Sequence, residues 1–295
     1  MILHQSDLAA VARCMAEYGY KRNGAPSSTN SAAAFGSVMH HAVSTFEREI
    51  SMGTDKPTAL TKAIESFNWY WSPLNIEAVC EPVPPGGWLP RQSFGSLREE
   101  GVEMLRRYAD LKDWESGTLI ATEYGFNVPI VGTWDPELEQ PHRLAGSVDR
   151  LSLGFYKRYP VVDVHDWKSG KVYKNLRQNL QGTSYCYAST QREFWVGCEG
   201  EDGFGEERGN ELFEQYSKAA RRFTWIDLRS AKFLEGGFRG PDDYKRFALA
   251  VDQFADMVRN ETYPMAMNGE VCQYCDFRQV CGGVGVPDKD HGKPA

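Results

Sequence analysis

Val161-Val162-Asp163-Val164-His165-Asp166-Trp167-Lys168-Ser169-Gly170-Lys171 sets the reading of this chain. A β-rich apolar run ends on a carboxylate and, two residues later, a lysine. In an extended strand, residues i and i+2 leave the same face, so Asp166 and Lys168 are expected to project together while Trp167 points the other way. A hard oxygen ligand beside a fixed cation suits metal-dependent cleavage of a phosphodiester. The preceding strand-like segment, Leu144 to Leu153, carries a second carboxylate, Asp149. With a short polar turn, Gly154 to Tyr159, joining the two segments, both acids are expected to converge on one metal.

Outward from this pair, the pattern divides the chain. Before it, apolar residues recur at helical spacing over residues 6–20, 31–50, 56–71 and 96–111, and the Pro/Gly-rich stretch 81–90 suits a loop. From Thr118 the period changes to that of strands, over 118–131, 143–153 and 160–168, which predicts an antiparallel meander. A helix over 172–190, a strand over 222–229 and an amphipathic helix over 242–260 follow. The expected fold is α/β (α+β), a mixed sheet core flanked by helices. It comprises an N-terminal helical region (1–117), a core (118–265), a cysteine segment (266–285) and a polar tail (286–295) expected to be disordered.

Composition excludes several classes. The 295 residues are 41% hydrophobic and 25% charged, enough for a sizeable core. No apolar run is long enough to span a membrane and no basic-then-apolar leader opens the chain, so an intracellular, cytoplasmic protein is expected. A net charge of −7 argues against a surface built throughout for coating nucleic acid. Contacts to phosphate must be local, with Lys168, Lys171, Lys174 and Arg177, then Arg221 and Arg222, then Arg13, Lys21 and Arg22 as the basic patches.

Three of the seven cysteines cluster as Cys272-Gln-Tyr-Cys275-Asp-Phe-Arg-Gln-Val-Cys281, and Cys14 lies at the opposite end. Without a secretion signal this spacing points to thiolate ligation of a metal, and it does not choose between zinc and an iron-sulfur cluster. With Cys14 as a fourth ligand, the metal would clip both ends of the chain together.

In order along the chain, Gly36-Ser-Val-Met-His40, Gly146-Ser-Val-Asp149-Arg150, Asp166-Trp-Lys168-Ser-Gly-Lys171 and Gln181-Gly-Thr-Ser-Tyr185, with one early and three late cysteines, resemble the RecB-like branch of the PD-(D/E)XK nucleases. In particular, these motifs resemble the CRISPR-associated iron-sulfur exonucleases and the related AddB nuclease domain. It implies a restriction-endonuclease-like core and a Mn2+- or Mg2+-dependent deoxyribonuclease acting on single-stranded ends. It also implies metal ligands from His40, Asp149, Asp166 and the Trp167 carbonyl, with Glu123 as an acidic residue on the first strand. Lys168 becomes a catalytic cation, and Gln181 and Tyr185 face the site. The four cysteines Cys14, Cys272, Cys275 and Cys281 become ligands of a 4Fe-4S cluster, with zinc as the alternative metal. The insertions near 75–97 and 197–209 depart from the compact members. A phage-encoded protein, an oligomer and a recombination or CRISPR adaptation partner are all compatible with it. The competing class is a catalytically weak DNA-binding adaptor. Were bases to stack on aromatic residues, Trp167 and Trp225 are the expected platforms.

Overall fold

The computed structural model describes residues 1–25, 30–80, 87–112, 117–170, 179–197, 204–265, 277 and 281. In chain order its elements are β1 (Ile2–His4), α1 (Gln5–Arg13), α2 (Met15–Arg22), α3 (Ser31–Ser51), α4 (Lys56–Tyr70), α5 (Pro73–Cys80) and α6 (Phe94–Lys112). Then come β2 (Thr118–Pro129), β3 (Arg143–Tyr156), β4 (Tyr159–Lys168), α7 (Leu180–Ala188), α8 (Arg192–Val196), α9 (Glu206–Tyr216), β5 (Ala220–Asp227), β6 (Lys232–Arg239) and α10 (Pro241–Arg259).

β3 organises the sheet. It carries antiparallel β2 along one edge, while along the other it pairs with parallel β1 at residues 143–145 and with antiparallel β4 at residues 150–156. β5 adds to β4 in parallel, and β6 closes the order in antiparallel fashion. The described sheet is therefore six-stranded and mixed. The expected meander β2-β3-β4 is present. β1 and β6 go beyond the sequence pattern: three residues are too short to show a period, and Gly236 and Gly237 interrupt the alternation of β6.

One core lies between the sheet and α1, α7 and α10, built on Leu144, Leu151, Val162, Val164, Phe223 and Phe254. The other packs α3, α4 and α6 around Phe35, Phe46, Phe67, Trp71 and Trp167. Asn30 caps α3, its side chain accepting from the N–H groups of Ala32 and Ala33, both at 3.0 Å. The single helix expected over residues 6–20 is broken: Cys14 is extended, with φ −164° and ψ 120°, and separates α1 from α2. The turn expected over 154–159 is shorter, since β3 and β4 run on to Tyr156 and Tyr159. Of the helix expected over 172–190, α7 is described, and residues 171–178, with Lys171, Lys174 and Arg177, lie outside the described residues. The tail 286–295 also lies outside them.

α3 meets the sheet through a polar stripe as well as through its apolar face. His40, Ser44 and Glu47 stand at i, i+4 and i+7, one side of the helix. The Ser44 hydroxyl lies 2.9 Å from that of Thr122 on β2, and Arg150 Nε lies 3.2 Å from Glu47 Oε2. Both members of the ion pair are at most 1% exposed, and the Tyr108 hydroxyl donates to Glu47 Oε1 at 2.5 Å. Removing one partner strands a buried charge, at a cost of about 3–5 kcal/mol, whereas replacing both with apolar groups of similar volume is much milder. Arg150→Met is accordingly expected to lose about that much stability in urea unfolding, and Glu47→Leu/Arg150→Met to recover most of it. Losses that simply add in the double variant would contradict the pairing.

Candidate metal centre

The site lies where β3 and β4 part. Their pairing stops at Arg150 and His165, and beyond it Asp166, Trp167 and Lys168 pair only with β5. The Trp167 N–H, released from the β3 ladder, donates to Asp149 Oδ2 at 2.7 Å. Asp149 thus closes the gap that it occupies, leaving its other oxygen, Oδ1, 3.3 Å from His40 Nδ1. His40 Nε2 sits 2.9 Å from the Trp167 carbonyl, so both ring nitrogens are engaged. His41, the neighbouring histidine, turns outward and stacks on Tyr70 at a centroid distance of 4.8 Å.

Glu123 comes from β2. Thr122 pairs with Arg150 and Tyr124 with Val148, so Glu123 stands across from Asp149. Its φ of +48° lies in the left-handed region, which is strained for a residue with a side chain and is often found at functional positions. Glu123 Oε1 is buried without a hydrogen-bond partner, 3.7 Å from His40 Nδ1. Ligand atoms of His40, Glu123 and Asp149 all lie within 4.8 Å of one another.

Asp166 is 2% exposed and ion-paired, Oδ2 lying 2.6 Å from Lys168 Nζ. Gln181 Nε2 donates to Asp166 Oδ1 at 3.0 Å and approaches the Tyr185 hydroxyl at 3.2 Å. The i, i+2 spacing on β4 and the i, i+4 spacing on α7 thus deliver Asp166, Lys168, Gln181 and Tyr185 to one place. Glycines set the approach: a Cβ on Gly36 would stand 3.3 Å from Ser169 Oγ, and one on Gly182 would overlap the Phe223 ring at 2.4 Å.

Crowded acids hold protons. Burial first, then the charge of Asp149, lifts Glu123 to about 7. Burial raises Asp166 to about 6, opposed by Lys168 and reinforced by Asp149. For His40, burial lowers the pKa, but the carboxylates of Asp149, Asp166 and Glu123 outweigh it and raise it to about 9. Lys168 is likewise raised, because Asp166 outweighs the burial that would lower it. An orphaned, buried carboxylate oxygen beside a second acid and an imidazole forms a donor set that suits a hard divalent cation such as Mg2+, or Mn2+ where the imidazole nitrogen takes part.

The expected stacking platforms and several of the expected basic patches are engaged elsewhere in the structure. Trp167 and Trp225 are 0% and 2% exposed, locked in the two cores, and offer no stacking surface. Arg221 is buried, donating to Ser189 and to the Tyr216 carbonyl, and Arg222 grips Asp163 through two bonds of 2.5 and 2.7 Å, so neither is a free phosphate contact. Arg13 pairs with Glu17, and Lys21 with Asp7 at 3.0 Å. Cys14 lies at the α1–α2 break and Cys281 Sγ is 3.6 Å from Met265 Sδ, while Cys272 and Cys275 lie outside the described residues. Sequence reasoning missed Glu47, Ser44, Thr122 and Tyr108. The one available signal was the spacing of Glu47 seven residues after His40.

Over residues 3–282 the sequence matches the PD-(D/E)XK nuclease superfamily, and the chain belongs to it. Members of that class use divalent metals. Among solved structures, the chain is similar to the crystal structure of SSO0001 at 10% identity and a TM-score of 0.38, covering 95% of this chain and 85% of that one. No curated protein matches it. Among the described residues no helix is long and apolar enough to cross a membrane.

The proton balance gives a test. Glu123 at about 7 against 4.5, Asp166 at about 6 against 3.8 and His40 at about 9 against 6.5 all bind protons more tightly folded than unfolded. Their contribution to stability is therefore complete below about pH 4 and lost as pH rises toward 9. Thermal melts in EDTA should show this fall across pH 5 to 8.5. Added Mn2+ should raise Tm, and more so at pH 8.5 than at pH 5. A Mn2+ effect independent of pH would contradict a site made of these groups.

Proposed function

We propose that this protein is a divalent-metal-dependent deoxyribonuclease, acting as an exonuclease on single-stranded ends. The observation that carries the reading is the convergence of His40, Glu123 and Asp149 beside the Asp166–Lys168 ion pair. Hydrolysis of a phosphodiester builds negative charge on the phosphoryl oxygens and needs a water nucleophile near neutral pH. A bound Mg2+ or Mn2+ would supply Lewis acidity for both. His40, Glu123, Asp149, Asp166 and the Trp167 carbonyl are the groups that would hold it.

The chain's own residues do the rest. Lys168, kept protonated by Asp166, offers a cation to the scissile phosphate or to the attacking hydroxide. Gln181 fixes the rotamer of Asp166 through its 3.0 Å bond, and Tyr185 backs Gln181. The Glu47–Arg150 pair holds the helix bearing His40 against the strand bearing Asp149.

A 4Fe-4S cluster on Cys14, Cys272, Cys275 and Cys281 completes the proposal. Its support is that the two ends of the described chain meet: Ala16 N–H donates to the Pro264 carbonyl at 3.3 Å, and Tyr20 stacks on Phe277 at 5.7 Å. Cys14 stands just ahead of the first of these contacts. In this reading the cluster staples α2 to the segment after α10, so that the N-terminal helices, the core over 118–265 and the cysteine segment over 266–285 work as one unit.

Purified protein with Mn2+ is expected to degrade end-labelled single-stranded DNA, and Asp166→Ala and Lys168→Ala each to lose at least about a hundredfold in rate when assayed well below the melting temperature measured for each variant. Tight DNA binding without cleavage would favour the adaptor class instead. Anaerobically purified protein should be brown, with iron and sulfide in equal amounts, and Cys14→Ala should lose the colour. A colourless protein containing zinc would replace the cluster with a zinc site.

A further inference from the structure

We propose that the tip of the β3–β4 hairpin is a second contact for single-stranded nucleic acid, remote from the metal centre. The inference rests on the nuclease reading for its ligand, and on separate observations for its location. The hairpin closes through a two-residue turn, Lys157-Arg158, between the cross-strand pair Tyr156 and Tyr159. Such turns favour glycine, asparagine or aspartate because a left-handed conformation is required. Here Lys157 adopts it, at φ +58°. A cation therefore stands at the apex in a conformation that disfavours it.

The rings around this apex are exposed. Phe155 and Tyr159 are each 71% accessible, Tyr156 is 46% and Phe238 is 43%. Tyr156 and Phe238 meet edge to face at 5.0 Å, which holds both rings in place, and Lys157 Nζ lies 5.7 Å from the centre of the Tyr156 ring. Phe155 leaves the strand on the face of Asp149, and Tyr156 and Tyr159 leave on the other, so the tip offers rings on both faces. Beside them lies a cavity of about 440 Å³, between Tyr156, Arg222, Glu235 and Phe238 and over Gly236 and Gly237. Gly237, at φ +86°, keeps its floor free of a side chain.

Charge decides the occupant. Across this acidic chain, Arg221, Arg222 and Arg239 are all consumed by internal partners. Lys157 and Arg158 have no ion-pair partner among the described residues. Of the acids near the cavity, Asp243 caps α10 and meets Arg246, which leaves Glu235 as the opposing charge. Two free cations between exposed, partly fixed rings match a flexible polyanion carrying planar bases. Seven residues along β3 separate Tyr156 from Asp149, about 23 Å at about 3.3 Å per residue. At about 3.4 Å per stacked nucleotide the strand must exceed roughly seven nucleotides to reach both places.

The test is fluorescence anisotropy in EDTA, where binding is read without cleavage, using thymidine oligonucleotides of about 4 and about 20 nucleotides. Tyr156→Ala/Tyr159→Ala and Lys157→Gly/Arg158→Ser are compared with the wild type. The expected result is about tenfold weaker binding of the longer oligonucleotide, a shallower salt dependence for the cation variant, and unchanged binding of the shorter one. Lys157→Gly alone should raise Tm, since glycine accepts the left-handed turn, while weakening long-strand binding; this removes misfolding as the cause. Equal affinity for the long oligonucleotide in all forms would overturn the proposal. So would loss of self-association, or of a protein partner, in place of lost oligonucleotide affinity. If the variants lose long-strand binding although the wild type cleaves nothing, this contact stands and the nuclease reading falls. Cleavage with unaltered variant binding gives the reverse.

Discussion

A guanidinium with no access to water needs an anion, and in this chain that need ties α3 to the sheet. Arg150 and Glu47 are both fully buried, at 3.2 Å, with Tyr108 donating to the same carboxylate. Arg150 directly follows Asp149, and Glu47 lies two helical turns beyond His40. This ion pair therefore sets both the height and the rotation of the helix over the strand. An apolar contact would tolerate sliding; a desolvated charge pair does not, because any slip uncovers both ions.

From that constraint the centre follows. With α3 fixed, His40 spans the gap left where β4 departs from β3, holding the Trp167 carbonyl on one ring nitrogen and facing Asp149 on the other. Asp149 fills the vacated ladder position by accepting the Trp167 N–H. Glu123 is turned toward the same point by a left-handed backbone. Burial, reinforced by the charge of Asp149, raises the proton affinity of Glu123 and Asp166, and a divalent cation would offset both effects.

Much of this is legible in the residues alone. The Asp166-x-Lys168 spacing at a strand end, Asp149 on the preceding strand, and Gln181 with Tyr185 one turn apart place chemistry by simple periodicity, and the structure brings these side chains together. What escapes does so for definite reasons. Cys14 breaks a helix without a glycine or proline to announce it. β6 hides behind paired glycines and a bulge opposite Phe223 and Thr224. The Glu47–Arg150 pair joins residues far apart in the chain, and isolated glutamates and arginines ordinarily mark solvent-facing surface. A large ring beside a site suggests a stacking platform, yet Trp167 and Trp225 both belong to the cores.

The central claim is that one hard cation binds between His40, Glu123 and Asp149, at the parting of β3 and β4. Anomalous diffraction at the manganese edge, from crystals soaked in MnCl2, tests it most directly. The account predicts a peak within coordination distance, about 2.0–2.3 Å, of oxygens from Glu123 and Asp149 and of a His40 nitrogen. Density for manganese elsewhere on the protein, with those side chains still bonded only to one another at millimolar metal, would contradict it.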